Sequence, residues 1–237
     1  MPAEREIAAL PGGTISPGTA ADPLNGANMT GDGVGRIGTL TVGTVNASPS
    51  TRFDFDLGGV THDTLAVNGT VNLNNAVLDT RDGGLTFPEP QGGFILIDND
   101  GNEPINGTFL NIAEGDSILL GFSPAEASYL AGDGNDFGVF EDFDPVIGTD
   151  PYGDDIHDDL TLVRNAADPN LLDLMIDDVG GDVLLAQMNY STLVSLTVNA
   201  GLGSDKLTLD FSRGSVLPPN GQPGNSGITF LAGEGLE

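Results

Sequence analysis

The sequence predicts an all-β chain. Its simplest architecture is a right-handed parallel β-helix, or solenoid, of stacked coils; β-sandwich units are the competing arrangement. Three observations carry the expectation. A short phrase, Leu-x-Val or Leu-x-Leu beside a Gly, Asn or Asp turn, returns at Leu40-Thr41-Val42, Leu65-Ala66-Val67, Leu160-Thr161-Leu162, Leu196-Thr197-Val198 and Leu207-Thr208-Leu209. The 237 residues include 35 Gly and 15 Pro, so the chain reverses often,. Leu40 and Leu65 stand 25 residues apart, the length of one solenoid coil,. A coil cannot bury its apolar face alone, so coils must stack.

The elements follow in order. Residues 2–10 read as a short helix stopped by Pro11-Gly12-Gly13,. Residues 14–35 read as irregular coil or a cap. From Arg36 the pattern becomes period 2, with Leu40, Val42 and Val45 between threonines,. Arg52-Phe53-Asp54-Phe55-Asp56-Leu57 alternates, which predicts an apolar inner face and a charged outer one. Asn72, Asn74 and Asn75 interrupt the next strands, and asparagines at repeated positions predict side-chain ladders. A Gly/Pro loop over 81–93 leads to Phe94-Ile95-Leu96-Ile97, the most apolar run and a buried strand,. Strands are expected at 107–110 and 117–120, while 125–130 is ambiguous.

The resulting organisation is a tail at 1–13, a first β-repeat module at 14–140, an acidic linker at 141–158 and a second β-repeat module at 159–237,. The second module holds strands at 160–163, 171–176, 183–185, 193–198, 207–211 and 228–231. It stops within another Gly-rich phrase, so a longer array is expected.

Net charge is −28 with only seven Lys and Arg. Such a field repels nucleic acid and anionic lipid. No apolar run reaches the length of a transmembrane helix, so no membrane insertion is expected in this segment,. The first residues lack the basic and apolar regions of a signal peptide,. With no Cys there are no disulfides and no thiolate metal sites,.

The phrases Ile15-Ser16-Pro17-Gly18, Gly38-Thr39-Leu40-Thr41-Val42, Asp63-Thr64-Leu65-Ala66-Val67-Asn68-Gly69 and Asn106-Gly107-Thr108-Phe109, closed by Ala131-Gly132-Asp133-Gly134-Asn135-Asp136, resemble the β-strand repeat units of autotransporter-like, passenger-type bacterial surface proteins. The resemblance covers most of 14–237. It implies a β-solenoid in a large secreted or cell-surface protein and carries over no catalytic residue. The Gly-Asp turns also resemble the calcium nonapeptide of RTX proteins: Ala200-Gly201-Leu202-Gly203-Ser204-Asp205-Lys206-Leu207-Thr208 fits G-G-x-G-x-D-x-U-x but for its first residue,. That family binds Ca²⁺ between tandem copies. Here each copy is isolated and offers half a site.

Asp suits Ca²⁺, a hard cation that takes oxygen ligands. The candidate metal ligands are Asp98 and Asp100 in Asp98-Asn99-Asp100-Gly101-Asn102-Glu103, Asp133 and Asp136 in the second turn, and Asp205 in the third. Each also reads as an ordinary turn residue. His62 and His157 read as surface turn residues. No nucleophile elbow, zincin helix, P-loop or dinucleotide fingerprint is present, and Asp is too abundant for any one pair to signal a hydrolase,. The expected function is therefore a non-catalytic structural or adhesive segment, secreted or at the cell surface. Its partners would be extracellular polysaccharide or other surface proteins, with Ca²⁺ as the one cofactor class. A polysaccharide-binding or polysaccharide-cleaving β-helix and a Ca²⁺-dependent surface module are the alternatives.

Overall fold

A computed structural model describes residues 6–8, 13–17, 37–85, 87, 92–101, 103–148, 158–178, 181–220 and 227–232. All regular structure among them is β, in several sheets. The chain divides into two units: Met1–Asp116 with Glu126–Glu141, and Ser117–Ala125 with Asp142–Glu237.

In the first unit, β1 (Glu6–Ala8) and β2 (Thr14–Ile15) are followed by β3 (Thr39–Val42), β4 (Thr44–Asn46) and β5 (Arg52–Gly59). Then come β6 (Thr61–His62), β7 (Thr64–Val67), β8 (Val71–Asn72), β9 (Val77–Leu85) and β10 (Gly93–Asn99). They pair in three parallel stacks. One holds β3, β7 and β10, with Leu40, Leu65 and Ile97 in register. A second holds β1, β4 and β8, with Ile7, Val45 and Val71 in register, and continues as a parallel bridge from Asn72 to Asn106. The third holds β2, β5 and β9, with Ile15, Phe53 and Leu78 in register. Each successive pass of the chain visits these stacks in the same order.

Register is fixed by what each pass must bury. Val45, Phe53, Leu65, Val71 and Ile97 are fully enclosed. A one-residue slip would turn each of these side chains outward and forfeit about 1.5–3 kcal/mol apiece. At the corner after β8, Asn74 and Asn75 take φ of 50° and 59°, left-handed values that asparagine tolerates,. One rung of the expected asparagine ladder is present, Asn72 Nδ2 donating to Asn46 Oδ1 at 2.7 Å, while Asn74 Nδ2 bonds the backbone carbonyl of Ala47 at 2.9 Å.

After a short strand β11 (Ser117–Leu120), β12 (Ser123–Ala131) and β13 (Asp136–Glu141) form a hairpin, and β13 runs antiparallel to β10. Phe109 packs edge-on to Phe53 at 5.3 Å and to Phe137 at 4.9 Å. The half-buried Tyr129 hydroxyl donates to the Ile112 carbonyl and accepts the Phe109 N–H. Burial pushes its pKa up to about 12.

The second unit holds β14 (Val146–Gly148), β15 (Asp159–Arg164), β16 (Leu171–Asp178), β17 (Gly181–Asn189), β18 (Ser195–Asn199), β19 (Lys206–Asp210) and β20 (Gly227–Leu231), in one parallel stack and one mixed sheet. β14, β18 and β20 stack in parallel, aligning Ile147, Val198 and Phe230. β15 and β19 pair in parallel, aligning Leu160 with Leu207 and Leu162 with Leu209. β16 and β17 extend β15 as an antiparallel meander. The core between these sheets is Leu160, Leu162, Leu172, Leu174, Leu196 and Val198, with Ala186 and Met188.

Several expectations are corrected. Glu6–Ala8, within the expected helix, is a strand, because its backbone groups are taken up by β4. Thr14–Ile15, read as coil, is β2. β9 runs into the expected 81–93 loop, carried by its pairing with β5. Asn106 makes an isolated bridge and Leu110 lies in a turn, so 107–110 is not a strand. The ambiguous 125–130 is strand, within β12. β14 and the buried Asp142 lie within the run read as a linker. Residues 149–157, including His157, lie outside the described residues.

Candidate functional site

In two of its copies the recurring phrase is preceded by an aspartate with a definite task. Asp63, fully buried, stands just before β7. Its Oδ1 accepts the Gly38 N–H at 2.8 Å, and its Oδ2 accepts the Asp56 N–H at 3.0 Å. Gly38 is the residue just before β3, the parallel neighbour of β7. Asp205 stands just before β19 and accepts the N–H of Asp158 at 2.9 Å. Asp158 is the residue just before β15, the parallel neighbour of β19. The same carboxylate therefore ties one pass to the adjacent pass in both units. The backbone N–H that starts a strand has no ladder partner, and an ionised acceptor satisfies it with a short, charge-assisted bond.

The charged residues of β5 differ from expectation. Asp54 and Asp56 are 6% and 7% exposed, although strand alternation places them outside. The register sets Asp79 beside Asp54 and Arg81 beside Asp56. Arg81 reaches back to bond Asp54 and lies 3.7 Å from Asp56 Oδ1, while Arg52 bonds Asp79. Burial raises the pKa of Asp54, and the Arg81 guanidinium works against that rise. Asp54 and Asp56 are thus two carboxylates on one face with a cation between them. Their enclosure leaves little room for a substrate to approach.

The five candidate metal ligands do not converge on one point. Asp98, Asp100 and Asp133 are exposed. Asp136 is buried, and its Oδ1 accepts the Asn99 N–H at 2.8 Å. Burial raises its pKa, and the neighbouring charges of Asp98 and Asp133 raise it further. A Cβ on Gly132, whose φ is +57°, would lie 1.8 Å from Asp136 Oδ2, so this turn requires glycine,. Asp205 Oδ2 is buried without a hydrogen-bond partner. Among the described residues no three His, Cys, Asp or Glu side chains are placed to hold a metal.

His62 is not a surface turn residue. It lies in β6, its ring 4.9 Å from Phe94 and its Nε2 3.1 Å from the Ile95 carbonyl, and burial lowers its pKa. Sequence reasoning passed over Asn99, Asn135 and Glu103. Asn99 is 1% exposed, and its Oδ1 has no partner. The apolar run ahead of it gave no signal, since the phase of Phe94 and Leu96 continues to Asp98.

Comparison with protein-family models, curated proteins and solved structures finds no match to this chain. Among the described residues no helix is long and apolar enough to cross a membrane.

Proposed function

We propose that this chain is a non-catalytic structural or adhesive repeat segment of a large secreted or cell-surface bacterial protein, of the autotransporter-like passenger type. In this reading the parallel stacks are coils of a right-handed β-helix, and the β12–β13 and β16–β17 hairpins are insertions into it. The carrying observation is that Asp63 and Asp205 perform the same tie between adjacent passes, one in each unit. Carboxylates spent on holding passes together are those of a scaffold. The surface is acidic, so partners would be neutral polysaccharide or surface proteins that carry basic patches.

A polysaccharide-cleaving β-helix is the second reading, and Asp54 with Asp56 is the observation in its favour. Their burial and their bond to Arg81 weigh against it. The test is incubation with neutral and uronate polysaccharides, followed by reducing-end and unsaturated-uronate assays. The scaffold reading expects no product. Product that disappears in Asp54→Asn would overturn it.

A further inference from the structure

Gly101 has no side chain, and oxygen atoms surround the gap that this leaves. A Cβ built on Gly101 would find three oxygens as its nearest heavy atoms: Glu103 Oε2 at 2.7 Å, the Gly69 carbonyl at 3.5 Å and Asn99 Oδ1 at 3.7 Å. None of these is a donor. Three acceptors that converge on one space repel one another unless something positive stands between them.

The Asn99 side chain makes the gap more than a surface accident. Its Nδ2 donates to the Glu103 carbonyl at 2.6 Å and to the Asn135 carbonyl at 3.3 Å. Both amide hydrogens are therefore used, and both bonds would be lost if the amide turned over. Oδ1 is left buried, without a hydrogen-bond partner. A buried acceptor in that state keeps its full desolvation penalty unless a ligand satisfies it. Asn135 repeats the pattern across the loop: its Nδ2 bonds the Gly101 carbonyl, and its Oδ1 has no partner. A single water has only two hydrogens to give, so it cannot serve all three oxygens around the gap.

We propose that this gap binds a hard divalent cation of the Ca²⁺ type, with Asn99 Oδ1, Glu103 Oε2 and the Gly69 carbonyl as ligands. Ca²⁺ accepts neutral amide and carbonyl oxygens alongside carboxylates, in flexible geometry. With one carboxylate among these ligands, its dissociation constant falls on the order of 10⁻⁴–10⁻³ M, the range of extracellular modules. The charges of Asp98 and Asp133 reach Asp136 and add to the negative field at this corner. The ion would pin the start of the Asn99–Glu103 loop to Gly69, two residues beyond β7, and so tie successive passes of the first unit.

The test is CaCl₂ titration of the whole chain, read by calorimetry and by thermal unfolding, with MgCl₂ at matched ionic strength and EDTA as controls. Ca²⁺ should raise the melting temperature reversibly and well beyond Mg²⁺, since a ligand of the folded state stabilises it by mass action. Gly101→Ala fills the gap without requiring a left-handed backbone, and Glu103→Gln removes an exposed carboxylate. Each should keep the wild-type melting temperature in EDTA and lose Ca²⁺ affinity by about tenfold or more. No Ca²⁺ effect on the wild type, an equal effect of Mg²⁺, or undiminished affinity in Gly101→Ala would overturn the proposal.

Discussion

Replacing Asp63 by Ala removes the acceptor of two backbone N–H groups, those of Gly38 and Asp56. Asp63 is fully buried, so water does not replace the lost oxygens. Each orphaned N–H costs about 1–3 kcal/mol, which places the loss at about 2–6 kcal/mol. A typical domain has only about 5–15 kcal/mol of stability, so the first unit should lie close to its unfolding threshold. Asp63→Asn keeps one acceptor but sets its NH₂ against the other N–H, for a loss of about 2–3 kcal/mol. Asp205→Ala frees one half-buried N–H and should cost about 1 kcal/mol,. Urea unfolding followed by circular dichroism gives the order, and hydrogen exchange at the Gly38 and Asp56 amides localises the effect. A loss below about 1 kcal/mol in Asp63→Ala, with both amides as protected as in the wild type, would refute the reasoning.

Two other perturbations have expected outcomes. Arg81→Gln leaves the enclosed Asp54 and Asp56 without their cation and should destabilise the first unit by about 3 kcal/mol; adding Asp54→Asn should recover part of this in a urea double-mutant cycle,. On pH, Asp54, Asp136 and Asp142 have raised pKa values, each chiefly through burial. The folded state keeps their protons where the unfolded state has lost them. Their stabilisation is therefore full below the ordinary value of 3.8 and is lost as pH rises through their raised values,. His62 acts in the opposite sense: its lowered pKa makes stability fall as pH drops below the ordinary 6.5,. Urea midpoints between about pH 7 and 4 should show both slopes, with the His62 decline absent in His62→Gln and the acid gain reduced in Asp142→Asn.

The parallel stacking was legible because the same apolar phrase recurs at coil length. Leu40 and Leu65, 25 residues apart, do stand in register. The antiparallel hairpins were not legible as interruptions, since β12 and β16 are apolar segments like the stacked strands and carry no mark of strand direction. The acidic face of β5 was read as solvated because alternation reports which side a residue faces, not what covers that side. The corner at Asn99 was hidden by a register shift in β10 between Ile95 and Ile97. Phe94 and Leu96 are buried, and carrying their phase forward turns Asp98 inward. The shift reverses the phase, so Ile97 and Asn99 are buried and Asp98 is exposed. The sequence drew attention to the acidic residues of that loop, and the backbone instead turns an amide inward.

The central claim is that adjacent passes pair in parallel and in register. The chain has no cysteine, so engineered pairs report without background. Thr41→Cys with Ala66→Cys occupies a register pair, on strands about 4.8 Å apart,. Thr41→Cys with Thr64→Cys is displaced by two residues, about 6.6 Å further along the strand and beyond disulfide reach. Oxidation of the folded chain should cross-link the first pair and not the second. In the other unit, Thr161→Cys with Thr208→Cys should do the same. Cross-linking of the displaced pair in preference to the register pair would contradict the account.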